Sequence, residues 1–209
     1  KVAATLKDHT DEVVGCTIHA TGEYIVTASL DKTWALYDIK SAVCLVQIAD
    51  PNLTKGYTAV KFHPDGLILG TGTLDNSIRI WDVKSQQNVA TFEGHTGPIH
   101  DMAFSENGYY LATCSDDSTV KLWDLRKAGV PDQCNFRTIT YEDNAVPRAV
   151  DFDQSGHYLA ASGPDVRVFA VRKDFSLIKT FTDHTAAVTD VLFGPDASFL
   201  ASTSMDRTL

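Results

Sequence analysis

The sequence predicts an all-β fold of repeated four-stranded sheets, and three observations carry that prediction. His9, His95 and His184 each precede an aspartate, Asp31, Asp117 and Asp206, by 22 positions. The aromatic-Asp pairs Tyr37-Asp38, Trp81-Asp82 and Trp123-Asp124 follow one another at intervals of 44 and 42 residues. Between these marks, short apolar runs alternate with turn-forming pairs such as Thr21-Gly22, Asp65-Gly66 and Asn107-Gly108. One such match could arise by chance, but three in phase could not. A repeat that cannot bury its own faces must stack on its neighbours, so the architecture is a β-propeller.

The first blade spans 9–49. Val13 to Ile18 is its inner strand, Tyr24 to Ala28 the second and Thr33 to Asp38 the third, with Tyr37 where tryptophan is usual; Val43 to Ile48 is the outer strand. The second blade, 50–92, begins irregularly, because the 22-residue spacing from Asp75 falls on Leu53 rather than on a histidine. Its turn His63-Pro64-Asp65-Gly66 is conventional, since proline presets φ and glycine closes the bend. The third blade, 93–139, is the most complete, and leaves Trp123-Asp124 through the long polar link 126–132. The fourth, 140–181, is degenerate: it has Asp143-Asn144 for Gly-His, Phe169-Ala170 for Trp-Asp, and no equivalent of Asp117. The fifth, 182–209, regains the pattern and stops after Asp206-Arg207-Thr208-Leu209. Residues 1–8 read as the outer strand of a preceding blade. At about 43 residues per repeat the chain holds four to five blades, so it is expected to be part of a longer propeller.

Composition bounds the function. A hydrophobic fraction of 44% is ample for a core. The net charge of −9, from 18 basic and 27 acidic residues, disfavours a phosphate-binding surface and makes direct RNA binding the alternative expectation, confined to local basic loops such as Arg126-Lys127 and Arg172-Lys173. Cys16, Cys44, Cys114 and Cys134 show no zinc-ligand spacing, and Cys16 and Cys114 are expected as small buried apolar residues. No stretch approaches 18 apolar residues, so no membrane contact is expected.

Histidine, hydroxyl and aspartate converge in the complete repeats. The sets are His9, Thr27, Asp31 and Tyr37; His95, Thr113, Asp117 and Trp123; and His184, Ser202 and Asp206. The second blade contributes Thr71, Asp75 and Trp81 without a histidine. Such a trio could be a catalytic triad. A catalytic site occurs once, whereas this arrangement recurs with fixed spacing, which favours a hydrogen-bonded brace within each blade. No enzyme motif stands out, and neither a metal nor a cofactor is expected. Partner recognition is assigned to loops and inner strands around the central channel, with Tyr57, Lys61, Asp101, Arg148 and Asp190 as candidates beside the irregular segments 50–56 and 140–147.

The Gly94-His95 start, Asp117 corner and Trp123-Asp124 finish resemble a WD repeat. Longer runs are more specific: His63-Pro64-Asp65-Gly66-Leu67-Ile68-Leu69-Gly70-Thr71-Gly72-Thr73, Ala103 to Thr113, and Val120 to Lys127. His19 to Tyr24 and Asp151 to Gly156 add to them. Together they resemble the C-terminal WD-repeat domain of the pre-mRNA-processing factor nineteen family, U-box ubiquitin ligases of the spliceosomal nineteen complex. That resemblance implies the later blades of a seven-bladed propeller in a nuclear protein of pre-mRNA splicing and DNA-damage signalling. It implies that the propeller chooses ubiquitination substrates and spliceosomal protein partners. The U-box that recruits the ubiquitin-conjugating enzyme, and the coiled coil that oligomerises the protein, are absent from these residues. No residue of this chain is therefore assigned a catalytic role.

Overall fold

The computed structural model describes residues 2–129 and 131–209, with 131 and 132 described by their backbone alone. Lys1 and Val130, which the sequence places in the leading strand and in the third-blade link, lie outside the described residues. Five antiparallel sheets follow one another along the chain. The first holds β1 (Val13–Ile18), β2 (Tyr24–Ser29), β3 (Thr33–Asp38) and β4 (Val43–Ala49). The second holds β5 (Tyr57–Phe62), β6 (Ile68–Thr73), β7 (Ile78–Asp82) and β8 (Gln87–Phe92). In the third are β9 (Ile99–Phe104), β10 (Tyr110–Ser115), β11 (Thr119–Asp124) and β12 (Asn135–Thr140). The fourth consists of β13 (Val150–Phe152), β14 (Tyr158–Ser162), β15 (Val166–Ala170) and β16 (Ser176–Phe181). The fifth is the pair β17 (Val188–Phe193) and β18 (Leu200–Ser204). Within each sheet every strand pairs with the next in sequence, the meander of a propeller blade.

Residues 2–8, expected as an outer strand, form none. A strand is defined by its ladder, and no neighbouring strand pairs with this segment. The degenerate fourth repeat nevertheless builds all four strands, because apolar alternation in Val150 to Phe152, Tyr158 to Ala161 and Val166 to Phe169 survives the loss of its polar corner.

The core lies between blades rather than within them. Val26, Ala28 and Trp34 of the first blade pack with Leu53, Tyr57, Val60, Leu69 and Trp81 of the second. Further clusters join the second blade to the third around Ile99, Met102 and Trp123, the third to the fourth around Leu122, Tyr141 and Phe152, and the fourth to the fifth around Val166, Val188 and Val191. Cys114 is buried in one of these interfaces as expected, but Cys16 is exposed. Its position on β1 places it away from the second blade, which packs against β1 around Gly15.

Turns on one end lock successive blades together. His19 Nε2 donates to the Gly66 carbonyl at 3.3 Å, and His63 Nε2 donates to the Gly108 carbonyl at 3.0 Å. Both glycines have φ +72, and a Cβ on Gly108 would lie 2.6 Å from His63 Nε2. Only glycine combines that left-handed backbone with so close an imidazole.

Candidate functional site

The brace of the third blade is a single directed chain of hydrogen bonds. Trp123 Nε1 donates to Thr113 Oγ1 at 2.9 Å, the Thr113 hydroxyl donates to His95 Nε2 at 2.8 Å, and His95 Nδ1 donates to Asp117 at 2.7 Å. Asp117 also accepts the Thr96 N–H at 3.0 Å and the Thr119 hydroxyl at 2.6 Å. Each donor is used in turn, which assigns the neutral Nδ1–H tautomer to His95. Burial pushes the imidazole pKa down, against the pull of Asp117. Burial would raise the Asp117 carboxyl, but the bonds from Thr119, Thr96 and His95 outweigh it and hold the group below the usual carboxylate range. A neutral histidine bonded at both nitrogens, with its side chain fully buried, has no face on which to meet a substrate. The geometry is that of a brace rather than of a triad.

The copies differ in instructive ways. In the first blade His9 bonds Asp31 at 2.9 Å and Thr27 at 2.7 Å. Asp31 is lowered to about 2 because bonds from Thr33, Thr10 and His9 exceed the cost of burial. Tyr37 replaces the indole, and burial, with Asp8 nearby, pushes its phenol up to about 12 against the opposing bond with Thr27. In the fifth blade His184 bonds Asp206 at 3.0 Å and Ser202 at 2.9 Å. In the second, Trp81 still donates to Thr71 at 3.0 Å, but Leu53 fills the histidine position as a buried apolar residue. The Thr71 hydroxyl turns instead to the Arg79 carbonyl at 3.4 Å, and Asp75 is held by Thr73, Ser77 and Thr54. The fourth blade substitutes a different device: Asp165 pairs with Arg167 at 2.9 Å, and that guanidinium lies 4.2 Å from the ring centre of Tyr141.

Among the residues proposed for partner binding, Tyr57 requires correction. It is fully buried, and burial drives its phenol far above the usual range, with Asp50 adding to the effect. A register shift between Tyr57 and Ala59 inserts one extra residue in β5, and the bulge turns the ring into the interface with the first blade. Asp190 and Arg148 are exposed, and Lys61 is half-buried. Asp101 serves packing as well as surface, because its Oδ2 accepts the Val150 N–H of the next blade at 3.1 Å. Asp151, which sequence reasoning did not single out, repeats the device on the Phe193 N–H at 2.8 Å. Lys61, Asp101, Asp151 and Asp190 thus form one electrostatic group on successive inner strands. Asp101 and Asp190 each stand three residues before a closing phenylalanine, and Lys61 and Asp151 each stand one residue before one, which was the signal available in the sequence. His100, also unassigned there, pairs with Asp116 at 2.6 Å. The irregular lead-in 50–56 is pinned by Asp50 to Arg79 at 2.8 Å. Among the described residues no group of three or more metal-capable side chains occurs. Among the described residues no helix is long and apolar enough to cross a membrane.

The Asp151 carboxyl is raised from 3.8 to about 6 by burial, opposed by the Phe193 N–H and Lys61. A carboxyl whose folded pKa exceeds its unfolded value adds stability below the unfolded value and loses it as pH rises through the folded one. Asp151→Asn, which retains an acceptor for Phe193, is therefore expected to raise the melting midpoint at pH 7.5 and to leave it unchanged at pH 4. An equal shift at both pH values would show that the charge of Asp151 is not what matters.

A family model described as "WD domain, G-beta repeat" matches residues 1–38, 46–82, 86–124 and 175–209, passing over most of the degenerate fourth blade. Curated relatives include pre-mRNA-processing factor 19 of Oryza sativa subsp. japonica, 54% identical over 98% of this chain and 39% of the relative. The Homo sapiens protein of the same name is 48% identical over 100% of this chain and 49% of its own length, and that of Caenorhabditis elegans 41% identical over 99% and 41%. The chain thus spans less than half the length of each of these relatives. Three intact His–Asp braces, the meandering blades and the matched repeats agree that the chain belongs to the WD-repeat family.

Proposed function

We propose that this chain is the protein-interaction propeller of a nuclear pre-mRNA splicing factor. In this reading it recruits splicing partners and substrates for a U-box ubiquitin ligase that also acts in the DNA-damage response. The observation that carries the reading is the internal use of the repeated His–hydroxyl–Asp sets. The His–hydroxyl–Asp sets are consumed as braces, which leaves the unrepeated rim and lead-in loops to carry recognition. Similarity over nearly the whole chain to proteins named pre-mRNA-processing factor 19 supports the splicing context. Ligase activity belongs to segments other than these blades, so the role of this chain is to choose what is brought to them.

Crosslinking of the intact protein in nuclear extract tests the reading. Spliceosomal proteins are expected to crosslink to the inner rim around Lys61, and the charge reversal Asp190→Lys, at an exposed position, is expected to reduce their capture severalfold. A propeller that contacts no spliceosomal protein in such extract would refute the assignment.

A further inference from the structure

The third and fourth blades share a surface that the brace and the inner rim do not use. Tyr110 joins Phe136 at 5.3 Å and Phe175 at 6.0 Å between ring centres, and Phe136 lies 5.7 Å from Phe175. Phe175 is buried and anchors the cluster, while Tyr109 and Phe136 remain 48% and 38% exposed. The Arg126 guanidinium sits 4.8 Å from the Tyr109 ring centre and 5.6 Å from that of Tyr110, held flat by two bonds of 2.9 Å to Asp124. Tyr110 also lines a cleft of about 470 Å³ with Glu106, Asn107, Ser155, Gly156, Val171 and Arg172. Two basic turns far apart in sequence, 125–127 and 171–173, thereby flank one aromatic cluster.

Charge sharpens the pattern. Asp124 is neutralised by Arg126, and Asp174 by Arg137 at 2.6 Å. Lys127, Arg172 and Lys173 are exposed, and among the described residues none of them makes an ion pair. Among the described residues, Glu106 is the acid that lines the cleft. In a chain of net charge −9, three uncommitted cations around two open aromatic rings form a local exception. Aromatic side chains stack on bases whatever the sequence, and flanking cations follow the phosphates.

We infer that this surface, Tyr109 and Phe136 flanked by Lys127, Arg172 and Lys173, binds single-stranded RNA by base stacking. The site rests on its own geometry; the choice of RNA over DNA rests on the splicing reading above. A protein partner for the same surface is the competing outcome.

The test is fluorescence anisotropy of the intact protein with a labelled oligouridine of about 12 nucleotides, a length within the range of such sites. Saturable binding that weakens with salt is expected. The double substitution Tyr109→Ala with Phe136→Ala should weaken it about tenfold or more. Tyr109→Phe with Phe136→Tyr should retain it, and Arg172→Gln with Lys173→Gln should both weaken it and flatten the salt dependence. All these positions are exposed, and unchanged circular dichroism and melting would exclude a folding effect. No binding at low salt, or binding that responds to the charge substitutions and ignores removal of the rings, would overturn the proposal. So would tighter binding of oligothymidine DNA, or displacement of RNA by polyglutamate as readily as by unlabelled RNA. Because none of the variants alters Lys61 or Asp190, their failure leaves the crosslinking result intact.

Discussion

Removing the Asp50 carboxylate by Asp50→Ala is expected to destabilise the chain by about 3–5 kcal/mol at neutral pH. Its Oδ2 lies 2.8 Å from Arg79 Nη1, and the side chains are only 4% and 11% exposed, so the guanidinium would be left charged in an interior that water reaches poorly. Asp50 also accepts the Asn52 N–H at 2.8 Å, so the lead-in loop loses an anchor at the same time. Among the described residues Arg79 Nε has no hydrogen-bond partner, which leaves the group little else to turn to. The double substitution Asp50→Ala with Arg79→Leu should recover much of the loss, because it removes the stranded charge rather than half of a pair. Urea denaturation of the two variants decides the matter. A loss below about 1 kcal/mol for the single variant would mark the pair as solvent-screened, like an exposed one.

The second large effect is expected at Trp123. Trp123→Ala removes a fully buried indole stacked on Phe92 at 5.5 Å and 10° between planes, and should cost about 3–5 kcal/mol. Trp123→Phe keeps most of the apolar surface but strips Thr113 of its donor, and should cost about 1–3 kcal/mol. If Trp123→Phe melted with the unsubstituted chain while Trp123→Ala did not, the indole N–H would contribute nothing and the brace would be packing alone. The second blade shows how such a loss can be absorbed. There the histidine is replaced by Leu53, which joins the interface between blades, while the threonine hydroxyl finds a backbone carbonyl.

The recurring interval between histidine and aspartate was enough to identify the blades and the brace, because a repeat imposes the same spacing wherever the same local geometry is built. His9, His95 and His184 meet their aspartates within 3.0 Å for that reason. Tyr57 escaped sequence reasoning because a bulge changes which side a residue faces, and nothing in Tyr57-Thr58-Ala59 announces one. The dual role of Asp101 was hidden likewise, since its partner is a backbone N–H on the next blade, 49 positions away.

What the sequence alone determined about this protein is the unit and its number: an all-β blade, braced internally and repeated along the chain. That information is local, carried by spacing within about forty residues. Only the tertiary structure decided which surfaces the repeats leave unused. Stacking buries Tyr57, ties Asp101 and Asp151 across blades, and brings the turns around Arg126 and Arg172 to one aromatic cluster. Those relations arise between blades, where the core lies, and an interval within one repeat cannot encode them. The opposite face of each sheet is fixed by its neighbour.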